Sequence, residues 1–365
     1  MNAAAQHILF ICSRLDLPGG IERAIVNTAN LLQQQGHQVT LLVLDESDKS
    51  FYPLHPRIVL HQAALHFGIT DKGNPLTRKW QFYRHVRKLR HLLKQFNPHA
   101  VIGTEAVFSI AARLAVSNRE TNVFAWEHHH FHHLKRSGFW QLLFQRTYPR
   151  LSGVVCLNGD EAALFEKQGC RSMVIPNFVS GVPAVTASLQ EKQLLTIGWL
   201  SKTKGADLIP PIAKLVFEKH PDWRWVVVGA GEGAEGLQGF DGPLQLIAPH
   251  SPNIQHYYLQ SAIYVLPSRL ECFPMVLLEA MSAGLPAVAF DCPTGPKHLI
   301  NNGIDGMLVE PGNITAMAAM LCRLIEDEEK RKELGRNAAG NIQRFSASKV
   351  YGLWKELLEG NSTSL

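Results

Sequence analysis

A chain of 365 residues, 46% of them hydrophobic and 18% charged, has the length of two moderate domains and enough apolar side chain to bury a core in each. That balance excludes wholesale disorder, and no uninterrupted apolar run reaches the roughly 18 residues of a membrane span; the nearest, 100–116, carries Glu105 and Arg113. Charge is unevenly spread: residues 1–180 hold 20 Lys and Arg against 12 Asp and Glu, while 181–365 hold 16 against 19, so a basic N-terminal half and a weakly acidic C-terminal half are expected to meet different partners.

The first six residues contain no basic residue and run straight into an apolar strand pattern, unlike a signal peptide, so the chain is expected in the cytoplasm. Residues 7–12 read as a buried strand, Pro18-Gly19-Gly20 as a breaker, and Ile21, Ile25, Thr28, Leu31 and Leu32 as a helix closed by Gly36. With a second apolar strand at 38–44 this makes a βαβ unit and hence a parallel sheet. Strands at 100–104, 122–126 and 153–157 follow, with helices at 80–96 and 108–117. A looser stretch, 179–191, reads as a linker. Beyond it come strands at 194–198, 224–229, 244–248, 263–267 and 286–290, with helices at 206–219 and 275–283. The expected fold class is α/β, with two doubly wound domains, 1–178 and 192–345, facing each other across a ligand cleft. Val350, Leu353, Trp354, Leu357 and Leu358 form an apolar helical stripe in the terminal segment 346–365, whose last five residues look frayed. Cys12, Cys156, Cys170, Cys272, Cys292 and Cys322 show no C-x-x-C spacing and are expected to be free thiols.

The most specific segment is 268–286, a loop and helix directly after a strand. Pro274 suits a helix start, Gly284 its end and Pro286 its stop, which leaves Glu271 in the loop and Glu279 inside an apolar helix. A carboxylate there is costly without a partner, and the free N–H groups of the helix start suit an anionic or hydroxyl-rich ligand. The turn Gly229-Ala-Gly231-Glu-Gly233-Ala234 fits a dinucleotide fingerprint, but no acidic residue follows at the ribose-binding distance, which argues against a nicotinamide dehydrogenase. Residues 126–133 hold five histidines after a strand; without Cys or H-E-x-x-H spacing, no metal site is expected. Between Lys72 and Thr104 there are eight Lys and Arg and no acidic residue, with Trp80, Tyr83, Val86, Leu89, Leu93 and Phe96 at helical spacing. This basic amphipathic helix, 72–96, reads as a packed helix with a solvated face or as a contact for anionic lipid. It does not read as a nucleic-acid platform, because its aromatic residues are not displayed between the basic ones.

Glu271 and Glu279, separated by seven residues and followed by Ala280-Met-x-x-Gly284-x-Pro286, resemble the signature of the retaining glycosyltransferases of family 4, with the GT-B fold. Gly19-Gly20, Ile175-Pro-Asn177, the 198–205 segment and the Val228-Gly-x-Gly231 turn occur in the family's order. The resemblance implies a retaining, metal-independent transfer of a hexose or N-acetylhexosamine from a nucleotide diphosphate, expected to be UDP, to a glycan or lipid-linked acceptor of cell-surface polysaccharide or lipopolysaccharide biosynthesis. The nucleotide sugar is a substrate, and no cofactor is expected. Glu279 would hold the ribose, Glu271 a sugar hydroxyl, and the main-chain N–H groups of Phe273, Met275 and Val276 the sugar or phosphates. Lys204 would meet the diphosphate, Gly229 and Gly231 the nucleobase, and Gly19 and Gly20 the phosphates from the other domain. His128, with His129 and His130 as rivals, would lie near the reacting sugar, and the terminal helix would cross back to the N-terminal domain. This chain departs from the pattern at Pro274, where the family has Gly, and at Trp199, where it has Arg; Lys202, Arg14 or Arg269 are the alternative cations. A nucleotide-sugar epimerase or hydrolase, and a non-catalytic assembly subunit, are the competing readings. The expected location is the cytoplasm at the inner face of the plasma membrane.

Overall fold

The structure, a computed structural model, describes residues 5–45, 47, 49–67, 74–118, 120–133, 138–180, 185–248 and 254–360. Lys72, part of the 179–191 linker and the last five residues lie outside these. The chain divides into two compact units, Met1–Asn177 with Ala347–Leu365, and Phe178–Ser346.

The first unit opens with β1 (His7–Cys12), buried at every residue. Helices on both faces of a parallel sheet require such a run without polar alternation. Then follow α1 (Gly20–Gln34), β2 (Gln38–Val43), β3 (Val59–Gln62), α2 (Pro75–Phe96), β4 (Ala100–Gly103), α3 (Ala106–Ala115), β5 (Asn122–Glu127), α4 (Gly138–Thr147), β6 (Gly153–Cys156), α5 (Gly159–Glu166) and β7 (Ser172–Val174). The strands pair in the order β3-β2-β1-β4-β5-β6-β7, all parallel, so the winding reverses between β1 and β4. Periodicity starts the basic helix at Trp80, yet α2 begins five residues earlier, because the Asn74 side chain accepts from the Leu76 N–H at 3.0 Å and Pro75 fits a first helical turn.

In the second unit β8 (Gln193–Ile197), α6 (Ile209–Phe217), β9 (Arg224–Val228), β10 (Leu244–Ile247), α7 (Ile254–Leu259), β11 (Ile263–Leu266), α8 (Met275–Ser282), β12 (Ala287–Phe290), α9 (Pro296–Leu299) and β13 (Gly306–Val309) build a parallel sheet ordered β10-β9-β8-β11-β12-β13. Its winding reverses between β8 and β11. The helix expected over 206–219 splits into a 3-10 turn, Ala206–Leu208, and α6. Pro210 and Pro211 lack the N–H that a helix interior needs, so they must occupy a first turn. Periodicity assigned nothing to α10 (Ile314–Glu326) and α11 (Glu328–Asn341), which start where Asn313 and Asp327 side chains cap the N–H groups of Ala316 and Lys330 at 2.9 Å.

The last helix, α12 (Ala347–Glu359), belongs to the first unit. Its Trp354, fully buried, meets Trp126 of β5 edge-on with ring centroids 5.2 Å apart. All six cysteines are buried free thiols.

Candidate functional site

In the second unit the loops that leave β8 and β11 lie at the reversal of winding, where doubly wound sheets present ligand sites. They are held together by backbone. Gly205 has φ +75°, and a Cβ there would stand 1.9 Å from the Pro267 carbonyl oxygen, so only glycine permits this approach. The approach brings Lys204 from one loop to Glu271 of the other, Nζ to Oε2 at 2.8 Å. Ser268 donates to the other Glu271 oxygen at 2.8 Å, and the Thr294 hydroxyl donates to its main-chain carbonyl. Gly295, at φ +88°, closes the pocket from the third side, since a Cβ there would meet the Glu271 Cβ at 2.7 Å. Glu271 is thus 8% exposed and fixed in orientation, whereas the Lys204 side chain stays 39% exposed. Solvent access to Lys204 keeps the net stabilisation by this pair to roughly 1 kcal/mol or less. Fixing two charged groups at the strand ends is its larger consequence.

Glu279 lies in the second turn of α8, buried, and accepts from the Tyr258 hydroxyl at 2.9 Å. Burial raises the Tyr264 phenol well above its ordinary value, and the Glu271 and Glu279 carboxylates both act on it in the same direction, so both lie within electrostatic reach of this one ring. Tyr264 donates to the Ile197 carbonyl at the end of β8 at 3.1 Å. At the start of α8 the main-chain N–H groups of Phe273, Met275 and Val276 make no hydrogen bond among the described residues. These donors and the two carboxylates form an array for a hydroxyl-rich, anionic ligand.

Gly229, Gly231 and Gly233 serve a packing need. A Cβ at Gly229 would stand 2.1 Å from the Gly198 oxygen and one at Gly231 2.4 Å from the Leu200 oxygen, so the glycines press the β9 loop onto the β8 loop. Leu200 N–H donates to the Ala230 carbonyl and Gly233 N–H to the Leu200 carbonyl, each at 2.8 Å. Trp199 is 62% exposed. Of the cations expected to stand in for an arginine there, Arg269 is committed to Asp207 at 2.6 Å and Arg14 to Asp16 at 2.8 Å, which leaves Lys202 exposed beside Lys204.

The first unit gathers a second set of groups at its own reversal of winding. Gly19 caps α1 in an extended conformation and Gly20 is its first residue; the Glu22 carboxylate folds back over this turn, 1.9 Å from where a Gly19 Cβ would be. Burial raises Glu22, and burial with the charges of Glu127 and Glu22 pushes Glu105, just beyond β4, up to about 7. Glu127, at the end of β5, is buried and accepts from the Tyr148 hydroxyl. The three histidine rivals separate cleanly. His130 bonds to Glu161, whose second oxygen accepts from the Phe131 N–H at 2.9 Å, and His129 is exposed. His128 is 7% exposed, packs on Trp126 with ring centroids 4.4 Å apart, and has no hydrogen bond at Nε2 among the described residues. Burial, with His129 nearby, lowers it to about 3, so its ring is neutral.

Tyr258, Thr294 and Glu105 had no signal strong enough to select them from sequence, because each acts through a neighbour distant in the chain, and Glu22 reads as an ordinary acidic residue in the first turn of a helix. Ser268 was within reach, since it stands only three residues before Glu271 in the segment the sequence singles out. No group of three His, Cys, Asp or Glu residues among the described residues is placed to hold a metal, and no described helix is long and apolar enough to cross a membrane.

Two parallel Rossmann-like domains, each with polar groups at the carboxyl edge of its sheet, define the GT-B class. Residues 18–180 match the family described as Glycosyltransferase Family 4 and residues 183–340 that described as Glycosyl transferases group 1. The chain therefore belongs to the family 4 glycosyltransferases. It is similar to an uncharacterised glycosyltransferase of Haemophilus influenzae, 27% identical over 358 residues, with 96% of this chain and 99% of the relative covered. It is also similar to a Campylobacter jejuni α-1,4-N-acetylgalactosaminyltransferase whose name gives a diNAcBac-PP-undecaprenol-linked substrate, 25% identical over 358 residues, with 96% and 98% covered. In fold it resembles HepE of Anabaena, solved in complex with UDP, with a TM-score of 0.78 at 17% identity over 97% of this chain and 99% of that one.

Proposed function

We propose that the chain transfers a hexose or N-acetylhexosamine from a nucleotide diphosphate, UDP first among the candidates, with retention at the anomeric carbon, to a lipid-linked glycan of cell-surface polysaccharide or lipopolysaccharide biosynthesis. The observation that carries this reading is the pair Glu271 and Glu279 at the start of α8 with unengaged main-chain N–H groups between them. Glu279, positioned by Tyr258, holds ribose hydroxyls; Glu271, positioned by Ser268 and Lys204, holds a donor hydroxyl. The α8 amides and Lys204 stabilise the negative charge that develops on the leaving nucleotide diphosphate, which is preorganised electrostatic catalysis. Retention without an enzyme nucleophile follows if the acceptor hydroxyl attacks on the face from which the phosphate leaves, with that phosphate taking its proton. In the first unit, Gly19, Gly20 and His128 are the matched positions; the lowered His128 suits a neutral neighbour to a cationic transition state better than an imidazolium would. The undecaprenyl substrate in the name of the Campylobacter relative and the UDP bound to Anabaena HepE support the acceptor and donor classes. Contact of α2 with an anionic membrane would keep such an enzyme by its acceptor, at the inner face of the plasma membrane.

Calorimetric titration of UDP, GDP and ADP, each with EDTA present, tests the donor site. One nucleotide should bind saturably, and Glu279→Ala should weaken it by ~1 to 3 kcal/mol, the loss expected for a hydrogen bond to a charged group. Anomeric NMR of the product tests retention. Binding to none of the three would overturn the reading and favour a non-catalytic assembly subunit, which exposed Trp199 in place of the family's arginine keeps in view. Turnover without an acceptor would favour the epimerase or hydrolase.

A further inference from the structure

Helix α2 carries seven Lys and Arg and no acidic residue across its length. The cations are not evenly used. Arg90 donates to the carbonyls of Ala115 and Leu114 at 3.1 and 2.9 Å, and Lys79 stacks on Phe139, so these two serve the packing of the unit. Arg87 and Lys88 are exposed and take part in no ion pair among the described residues. With Arg84, they line one wall of a groove of about 670 Å³ between α2 and β3, the edge strand of the sheet, whose lining also includes His61, His91, Leu92 and the segment 62–65. Arg84 lies over the face of Trp80 at 5.2 Å.

Among the described residues no carboxylate lines the groove, so the field at its mouth attracts anions of more than one charge or many anions in a plane. The same helix exposes Leu76 at 72%, Trp80 at 61% and Tyr83 at 46%, an apolar and aromatic group beside the cationic stripe Arg84, Arg87, Lys88 and His91. A soluble phosphate would be indifferent to those three side chains, whereas the interface of a bilayer accepts Trp and Tyr at headgroup level and apolar side chains just below.

We propose that the groove between β3 and α2 is a headgroup site for an anionic phospholipid, with Arg84, Arg87 and Lys88 holding the phosphate and Leu76, Trp80 and Tyr83 entering the interface beside it. This rests on the reading that α2 meets an anionic membrane and goes further, in giving the contact a discrete seat. The seat differs from diffuse attraction in one measurable respect: cations that line the groove matter more than a cation of equal charge outside it. Lys94 is exposed on the same helix and outside the groove, so it supplies the comparison.

The test is sedimentation of the full chain with vesicles of phosphatidylcholine alone and of phosphatidylcholine with one third phosphatidylglycerol. The wild type should bind the second and not the first. At about fivefold per cation at an anionic surface, the double variant Arg87→Ala/Lys88→Ala should weaken binding by about 25-fold and Lys94→Ala by less than the per-cation figure. Trp80→Ala should weaken binding at high salt, where the charges are screened and the apolar contact remains. All four side chains are exposed, so unchanged circular dichroism and melting are expected in every variant. A loss in Lys94→Ala equal per charge to that in the double variant refutes the seat while leaving membrane contact standing. Absence of wild-type binding to either vesicle refutes both, and equal binding to both vesicles refutes the anionic headgroup.

Discussion

Replacing His128 by Leu should make the first unit less sensitive to acid by about 2 kcal/mol at about pH 5. The side chain is buried on Trp126 without a hydrogen bond at Nε2, and burial lowers it from 6.5 to about 3. A histidine lowered on folding takes up its proton in the unfolded chain first. Its contribution to stability is therefore complete above about pH 6.5 and is lost as pH falls toward 3. At pH 5 the unfolded imidazole is protonated and the folded one is not, and the difference is RT ln(1 + 10^1.5), about 2 kcal/mol. The folded value hardly enters, since any value below about 4 gives nearly the same result. Leucine fills a similar volume, does not titrate and leaves no unpaired nitrogen. His7 and His37 are also lowered by burial, but they act equally in both proteins and cancel in the difference. Hydrogen exchange of peptides spanning 122–127 in a urea series, at about pH 7.5 and pH 5, reports this unit independently of the other. The wild type should lose about 2 kcal/mol more than His128→Leu between the two conditions. Parallel losses would show that the ring is protonated in the folded state, and would remove the argument for a neutral histidine at this strand end.

Glu105→Gln should stabilise the first unit in alkali: a carboxyl raised from 4.5 to about 7 holds a proton that the unfolded chain has lost, so stability falls as pH rises through that window, by at most about 3 kcal/mol. The variant should flatten the pH dependence between about 4.5 and 7, and urea midpoints across that range check it. Gly205→Ala puts a Cβ against the Pro267 carbonyl in a left-handed conformation, and should cost more than the roughly 1 to 2 kcal/mol of the backbone term alone. Nucleotide binding should be lost with it, because the loop that carries Lys204 to Glu271 must move; calorimetry with unchanged affinity would sink this. Trp354→Ala should destabilise the first unit by ~3 to 5 kcal/mol, as for a large buried aromatic, with the second unit unaffected in hydrogen exchange.

The central strands of both sheets were legible in the sequence because buried strands such as 8–12 and 225–228 must be apolar on both faces, whereas the edge strands β3, β7 and β13, only partly buried, carried no such run and were not assigned. The Glu271 to Pro286 segment was legible for a similar reason: a strand, a loop and a helix start lie within one continuous stretch. The start of α2 and the whole of α10 and α11 escaped, since single Asn and Asp caps are too common in loops to be read as boundaries without the hydrogen bonds they make. Sequence could name Lys204 as a cation and Glu279 as a costly carboxylate, but not that one pairs with Glu271 across 67 residues and the other takes Tyr258. Those partners, and the separation of His128 from His129 and His130, depend on which loops the sheet order brings side by side. Strand order arises from long-range pairing rather than from local preference, and it was the tertiary structure that decided it.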